Sequence, residues 1–241
     1  MKLSWNKNEN LSEWRLLFKI SGILAIIMTV LIPIQVAVFS VSFPPETVEG
    51  WFQLYHENWL LGLIHMDLLF AIDNVIIVMM YLSFYFTLRQ SNRSLMTIAI
   101  VLGLLGIASY FSSNTAFEML SVSNQYYNAP VVEQSIYLAV GQMLVESWTG
   151  TAFLVYYVLN GITLLIISGV MYRSTIYSKR MATVGLIAGI FMIIPSTAGM
   201  VGMVCSLLSL IPWVIFAIMA AARFLKLSKA NVADVLFEEM S

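Results

Sequence analysis

Residues 62–81 read GLIHMDLLFAIDNVIIVMMY. The stretch is almost wholly apolar, but it also contains His65, Asp67, Asp73 and Asn74. A helix that crosses a bilayer needs about 20 mostly apolar residues, which this stretch supplies. A central aspartate costs about 2.5 to 3.5 kcal/mol on insertion scales. The stretch therefore predicts a membrane helix whose acids lie off-centre, are protonated, or are paired inside a helix bundle.

The composition of the whole chain supports this interpretation. The 241 residues are 60% hydrophobic and 10% charged, whereas soluble domains contain about 25% charged residues. The net charge of −1 provides no basic surface for nucleic acid. Cys205 is the single cysteine, which excludes an internal disulfide and metal sites built on CxxC pairs. We therefore expect a membrane protein with the lipid bilayer as a partner, no nucleic acid partner and no cofactor.

Long apolar runs divide the chain into candidate membrane helices. They predict an all-α, polytopic membrane helix bundle of six transmembrane helices plus a short outer-surface helix. The six runs are 17–40, 59–88, 95–117, 150–172, 182–202 and 203–224. The expected organisation is an N-terminal segment over 1–14, a six-span membrane domain over 15–226 and a tail over 227–241.

The positive charges give this scheme an orientation. All 12 Lys and Arg lie at alternate ends of the six runs, and the connections 41–58, 118–149 and 196–204 contain none. Cytoplasmic loops carry an excess of Lys and Arg, so both termini are predicted to be cytoplasmic. The fairly apolar segment 131–147 would reverse this order if it crossed the bilayer. We therefore predict a non-spanning outer-surface helix at about 130–147.

The polar residues of the opening stretch are predicted to share one side of the second span. At 100° per residue, Asp67 and Asn74 are about 20° apart, Tyr81 continues their stripe and Asp73 flanks it. Asp73 lies 16 residues before Arg89, or about 24 Å along a helix. Asp73 is therefore expected in the outer half of the membrane.

The third and fourth spans offer facing polar groups. Tyr110, Asn114 and Glu118 have i, i+4, i+8 spacing, which places them on one side of a continuous helix. Asn160 lies near the middle of the fourth span. We expect an outward-facing intramembrane polar cavity without Lys or Arg. Its candidate ligand-binding residues are Asp67, Asp73, Asn74, Tyr81, Asn114, Glu118 and Asn160.

Three functions fit such a cavity. Acids inside a membrane indicate a functional site by default, which favours binding or transport of a small cation or amphiphile. A structural or regulatory membrane subunit without a ligand is the alternative, because polar side chains also join membrane helices. A membrane-embedded hydrolase is less favoured, since no HExxH or GxSxG motif is present. Its weak metal candidates are His65, Asp67 and Glu118, and no catalytic residue is identified.

Small residues in the later spans indicate close helix packing. Gly185 and Gly189 form a GxxxG pattern, and Gly103 and Gly106 give the third span a flat surface. Such faces join helices within one chain or between chains. A homo- or hetero-oligomer through the small-residue faces is therefore a further expectation.

Three stretches carry a family resemblance. They are WTGTAFLVYYVLNGITLLIISGVMYRSTIYSKRMATVGLIAGIFMII at 148–194, MYLSFYFTLRQSNRSLMTIAIVLGLLG at 80–106 and SGILAIIMTVLIP at 21–33. Together they resemble a bacterial multi-pass membrane family known as domain of unknown function 4386. The resemblance implies a six-span protein of the bacterial cytoplasmic membrane and brings no activity. The chain departs from the family in its last span, where Pro212 precedes Trp213 and the family's usual acid is missing.

Overall fold

The computed structural model of the protein describes residues 11–196 and 198–229. These residues form a short 3-10 turn and ten α-helices without a strand, so the all-α prediction is confirmed for this part of the chain. The turn is Leu11–Trp14, and the helices are α1 (Arg15–Val41), α2 (Val48–Glu57), α3 (Trp59–His65), α4 (Leu68–Leu88), α5 (Arg93–Ser113), α6 (Ala116–Asn128), α7 (Val131–Trp148), α8 (Thr151–Met171), α9 (Lys179–Met192) and α10 (Gly199–Lys229).

Five helical stretches of the described chain are long and apolar enough to cross a membrane. They are Arg15–Val41, Leu68–Leu88, Arg93–Asn128, Val131–Met171 and Gly199–Lys229. The fifth predicted run corresponds to α9, which has only 14 residues and is therefore about 21 Å long. That length is below a hydrocarbon core of about 30 Å. The structure thus supports a helical membrane protein, while the count of six spans stays a prediction.

The chain divides into two compact units with opposite charge. One unit comprises Met1–Val30, Asn74–Ile107 and Tyr157–Ser241, and the other comprises Leu31–Asp73 and Ala108–Tyr156. All 12 Lys and Arg belong to the first, which we call the basic unit. The second, which we call the acidic unit, has none of them. Its acids are Glu46, Glu49, Glu57, Asp67, Asp73, Glu118, Glu133 and Glu146.

An aromatic cluster forms the core of the basic unit. The Phe84 ring of α4 lies 5.7 Å from the Tyr177 ring, 5.5 Å from the Phe216 ring and 4.9 Å from the Phe224 ring. The Thr87 hydroxyl is 2.8 Å from the Tyr177 hydroxyl. These contacts hold α4, the segment before α9 and α10 together.

The small residues of α9 are used inside the basic unit. A Cβ at Gly185 would meet the Ser168 hydroxyl and the Phe216 ring, and one at Gly189 would lie 2.8 Å from Leu165 Cδ2. Both glycines are buried. Within the chain, α8 and α10 thus cover this face of α9. A homo- or hetero-oligomer through small-residue helix faces stays a prediction.

The acidic unit has its own hydrophobic core. Trp51, Phe52 and Tyr55 of α2 are at most 2% exposed and pack with residues of α3, α6 and α7. The Tyr55 hydroxyl donates to the Ala116 carbonyl at 3.0 Å. Residues 48–57 form a helix where the sequence suggested only a connection, because α2 buries an aromatic face in this core.

Candidate functional site

The predicted second span is interrupted inside the opening stretch. α3 ends at His65, α4 begins at Leu68, and Asp67 has φ of 68°. Among the described residues it is the only one other than glycine with a positive φ. The left-handed region is costly for most L residues, but Asp and Asn tolerate it better than others do. The helix therefore turns at a residue that carries a carboxyl group.

Three side chains of the acidic unit hold this turn in place. The Tyr110 hydroxyl donates to the Asp67 carbonyl at 3.0 Å. The Asn114 amide donates to the Met66 carbonyl at 3.0 Å and contacts the Tyr110 hydroxyl at 3.4 Å. The Trp148 indole Nε1 donates to Asp67 Oδ2 at 2.8 Å. The interruption is thus a fixed, hydrogen-bonded feature.

Asp67 is poised to titrate at mildly acidic pH. It precedes the candidate span Leu68–Leu88. Burial raises the pKa of Asp67 to about 6, and the hydrogen bond from Trp148 acts in the opposite direction. Because an unperturbed aspartate has a pKa of about 3.9, this carboxyl changes charge in a range where most aspartates are already ionised.

Asp73 is the buried acid of the site. Its side chain is 2% exposed, and within residues 11–196 and 198–229 neither of its carboxyl oxygens has a hydrogen-bond partner. An unpaired carboxylate is expensive to bury in protein or membrane. Asp73 therefore exists either as the neutral acid or with a cation that compensates its charge.

Aromatic rings pack against α4 one helical turn before Asp73. Phe70 lies three residues earlier, on the same face of the helix. Its ring meets the Tyr110 ring edge-on at 5.2 Å and the Tyr156 ring edge-on at 5.7 Å. Tyr110, which donates to the Asp67 carbonyl, thus belongs to the same aromatic group as Phe70.

Glu118 does not join this group. α5 ends at Ser113 and α6 begins at Ala116, so Asn114 lies between two helices. The predicted i, i+4, i+8 alignment of Tyr110, Asn114 and Glu118 is wrong for Glu118, because the break changes the helical phase. The Glu118 side chain is exposed.

The remaining predicted ligands belong to the basic unit. Asn74, Tyr81 and Asn160 are all buried there. The Tyr81 hydroxyl donates to Asn160 Oδ1 at 2.7 Å, which joins α4 to α8. This pair fits an interhelical structural bond of the kind the sequence left open. The seven predicted residues therefore divide between the two units, with Asp67, Asp73, Asn114 and Glu118 in the acidic one.

His65 does not form a metal site with the nearby acids. Its Nε2 lies 3.1 Å from the Ser42 hydroxyl, and its ring centre is 5.2 Å from that of Phe39. Burial lowers the pKa of His65, which favours the neutral imidazole. Within the described part of the chain, no group of three or more His, Cys, Asp or Glu side chains is arranged to hold a metal ion. His65, Asp67 and Glu118 are therefore not brought together.

The sequence analysis does not assign Trp148 to the site, and it places Tyr110 on a polar helix face without naming it as a ligand. The SWTG sequence at 147–150 signals a helix end but not its partner. Contacts between residues 67 and 148 depend on tertiary packing, for which one sequence contains no local pattern.

Comparisons with protein-family models, curated proteins and solved structures gave no match to the chain. Over residues 11–196 and 198–229, the fold defines the class as an all-helical protein with five helical stretches suited to membrane crossing. The resemblance to domain of unknown function 4386 stays a prediction. The functional argument therefore depends on the geometry around Asp67 and Asp73.

Proposed function

We propose that the chain is a six-span protein of the bacterial cytoplasmic membrane with both termini in the cytoplasm. One end of the basic unit supports this topology. The turn just before α1 meets the end of α4, where the Trp14 ring stacks on the Phe86 ring at 3.5 Å. The end of α10 joins them through Phe224, whose ring contacts that of Phe84. The basic residues that flank these helix ends thus gather on one side, as the positive-inside rule requires.

The pairing of α9 with α10 supports a sixth crossing. Residues at the start of α9 and near the end of α10 line the same cavity, among them Met181 and Arg223. The two helices are therefore antiparallel, which is the arrangement expected when consecutive spans cross in opposite directions. In this proposal α9 crosses as a short helix, with Lys179 and Arg180 at its cytoplasmic start.

The function proposed for the site is binding of a small cation in exchange for a proton on Asp73, as part of binding or transport across the membrane. The observation that carries it is a buried carboxyl group whose two oxygens have no hydrogen-bond partner among the described residues. A purely structural carboxyl is normally satisfied by donors. Acids in membrane spans that lack such donors are associated with ion or proton pathways.

The aromatic surroundings favour a small ion over an amphiphile as the ligand. Phe70, Tyr110 and Tyr156 are packed ring against ring. Ring faces attract cations within about 6 Å, so a compact ion gains from this setting. A bulky amphiphile would have to separate the rings.

Electrostatics of the acidic unit supports the same ligand. The unit contains eight Asp and Glu residues and no Lys or Arg. An excess of one sign raises the local concentration of the opposite ion. Asp67, which is partly exposed, is proposed to receive cations from the outer water before they reach Asp73.

A structural or regulatory subunit is the second candidate. The bond between Tyr81 and Asn160 and the bond between Trp148 and Asp67 would serve to join helices. In that case Asp73 would remain a neutral acid and bind nothing. No observation favours the hydrolase, because the part of the chain that the structure describes brings together no group of His, Cys, Asp and Glu side chains arranged to hold a metal ion.

Carbodiimide labelling separates the two candidates. Dicyclohexylcarbodiimide enters membranes and modifies neutral carboxyl groups, and peptide mass spectrometry locates the adduct. We expect an adduct on Asp73, and a slower reaction when the bound cation replaces the proton. Li⁺, Na⁺ and K⁺ are tested at equal ionic strength, with choline as a bulky control cation and tetraphenylphosphonium as the amphiphile.

Matched variants assign the signal to the right acid. Asp73→Asn should remove the adduct whose formation is slowed by the cation. Glu118→Gln changes an exposed acid of the same unit and should leave that adduct intact. If Asp73 is modified at the same rate whichever cation is present, the proposal of cation binding is wrong, and the result supports a structural or regulatory subunit. Protection by tetraphenylphosphonium alone would identify an amphiphile in place of a small ion.

A further inference from the structure

A groove lies at the surface of the acidic unit, where α6 ends and α7 begins. Its volume is about 450 Å³, which is within the range of about 300 to 1,000 Å³ typical of small-molecule sites. We call it the polar groove, because six of the side chains that line it are polar. They are Ser121, Asn124, Gln125 and Asn128 on α6, and Glu133 and Tyr137 on α7. None of them has a role in the function proposed above.

The two walls of the polar groove belong to a helical hairpin. Just before α6, the Thr115 hydroxyl donates to the Leu144 carbonyl near the end of α7 at 3.0 Å. At the other end of the hairpin, the Gln134 amide donates to the Tyr126 carbonyl at 3.4 Å. The helices are therefore antiparallel, and Pro130 lies in the short connection between them. Because proline fixes its own φ, the walls are held in place before a ligand binds.

The polar side chains of α6 form one stripe along the groove. Ser121, Gln125 and Asn128 have i, i+4, i+7 spacing, which places them on one side of the helix. The Gln125 Nε2 donates to the Ser121 hydroxyl at 3.2 Å, and the Asn128 Nδ2 donates to the Asn124 carbonyl at 2.8 Å. Each bond uses one of two amide N–H groups, so the other N–H and the amide oxygen can serve a ligand. Side chains that are already ordered lose less entropy on binding.

The α7 wall supplies an aromatic ring and an acid. Tyr137 is partly buried against the core of the acidic unit, so its ring is held in place. The face of an aromatic ring carries negative charge density, which suits the C–H bonds of a sugar ring. Glu133 lies one turn earlier on the same side of α7 and is exposed. Its ionised carboxylate accepts hydrogen bonds and donates none.

The charges around the polar groove restrict the class of ligand. Neither the groove nor the rest of the acidic unit contains Lys or Arg, so an anion would meet Glu133 without a compensating cation. Glu133 is also the only acid that lines the groove, whereas calcium sites commonly combine several carboxylates. Carboxamides and hydroxyls offer both donors and acceptors, as the hydroxyl groups of a ligand do. The lining therefore fits a neutral ligand that is rich in hydroxyl groups.

We propose that the polar groove binds a neutral saccharide. The carboxamides of α6 exchange hydrogen bonds with the sugar hydroxyls, one face of the sugar packs on Tyr137, and Glu133 accepts from a hydroxyl group. In the topology proposed above the groove faces the outer water, but binding by the purified protein does not depend on that orientation.

Saturation-transfer difference NMR of the full chain tests the proposal. The protein is kept in lauryldimethylamine oxide, a detergent without a sugar headgroup, and the probes are maltose, cellobiose, lactose and N,N′-diacetylchitobiose. We expect saturation to reach at least one of these disaccharides. The double variant N124A/N128A should bind it about tenfold more weakly, because hydrogen bonds to its hydroxyls are lost. Q142A removes an exposed carboxamide of α7 outside the groove and should bind like the wild type.

A charged probe tests the role of Glu133 separately. At low ionic strength, glucuronate should bind more weakly than glucose, because its carboxylate is repelled by Glu133. E133Q should reduce this difference. N124D keeps the shape of the side chain but loses its N–H donors, and it serves if N124A/N128A does not fold.

Three results would overturn the proposal. The first is no saturation transfer to any of the four disaccharides. The second is equal binding by the wild type and N124A/N128A, or an equal loss in Q142A. The third is binding of glucuronate by the wild type as strong as that of glucose, which would exclude a site selective for neutral sugars.

Discussion

The indole Nε1 of Trp148 donates a hydrogen bond to Oδ2 of Asp67 at 2.8 Å. This contact joins the end of α7 to the turn between α3 and α4. Because the indole is fluorescent, a change in the charge of the Asp67 carboxyl should alter the fluorescence of Trp148.

Trp148 fluorescence should therefore follow the ionisation of Asp67. The pKa of about 6 predicts a fluorescence change with a midpoint near that pH. The chain contains six tryptophans, so the signal is assigned by difference. Trp148→Phe and Asp67→Asn should each remove the transition. A transition that persists in Asp67→Asn would assign it to another group.

The same pKa predicts how stability changes with pH. Asp67 binds a proton more tightly in the folded chain than an unfolded aspartate does. Its protonation therefore stabilises the fold fully below about pH 4, and this contribution is lost as pH rises through about 6. Between these values the Tm of the wild type should fall, and that of Asp67→Asn should fall less. A steeper fall in Asp67→Asn would contradict the raised pKa.

The left-handed backbone of Asp67 can be tested apart from its carboxyl group. Asp67→Ala and Asp67→Gly both remove the acceptor for Trp148, but only glycine adopts positive φ without a steric penalty. We expect Asp67→Gly to be more stable than Asp67→Ala by about 0.5 to 1 kcal/mol, after the greater flexibility of unfolded glycine is included. Reversible unfolding in mixed micelles measures the difference, and equal stabilities would argue against strain at this position.

Close packing of α9 predicts opposite effects for two glycine substitutions. Gly185→Ala places a Cβ against Ser168 and Phe216 and should destabilise the protein by about 1 to 3 kcal/mol. Gly169→Ala is the matched control, because nothing lies within 4 Å of its added Cβ. It should be neutral or stabilise by up to about 1 kcal/mol, since alanine is the better helix former. Similar losses in both variants would indicate a general intolerance of these helices to substitution.

Cysteine labelling tests the six-span topology. In a background in which Cys205 is replaced by alanine, Glu133→Cys should react with an impermeant maleimide added to whole cells. Lys179→Cys should react only after the membrane is opened. Reaction of both positions in intact cells would overturn the orientation. The six-span topology has four crossings between the N-terminus and residue 179, which places residue 179 on the cytoplasmic side.

The sequence predicted the apolar helices well, because hydrocarbon length and charge placement are local properties of the chain. It also singled out Asp67 and Asp73, since acids are rare in such surroundings. It could not reveal the interruption at Met66 and Asp67, where no glycine or proline marks the turn. Asn114 was placed on a continuous helix, and the break after Ser113 changed which residues face each other. Such breaks are decided by tertiary hydrogen bonds, of which the bond from Asn114 to the Met66 carbonyl is one.

The conformation of Asp67 has a consequence for how related chains can vary. A position that needs both a left-handed backbone and an acceptor for an indole is satisfied by two amino acids, Asp and Asn. Exchange between them preserves the turn and changes only its ability to carry charge. Homologues that retain the tryptophan and have Asn here would have inherited the architecture without the acid chemistry, and their distribution would record where that chemistry has been under selection.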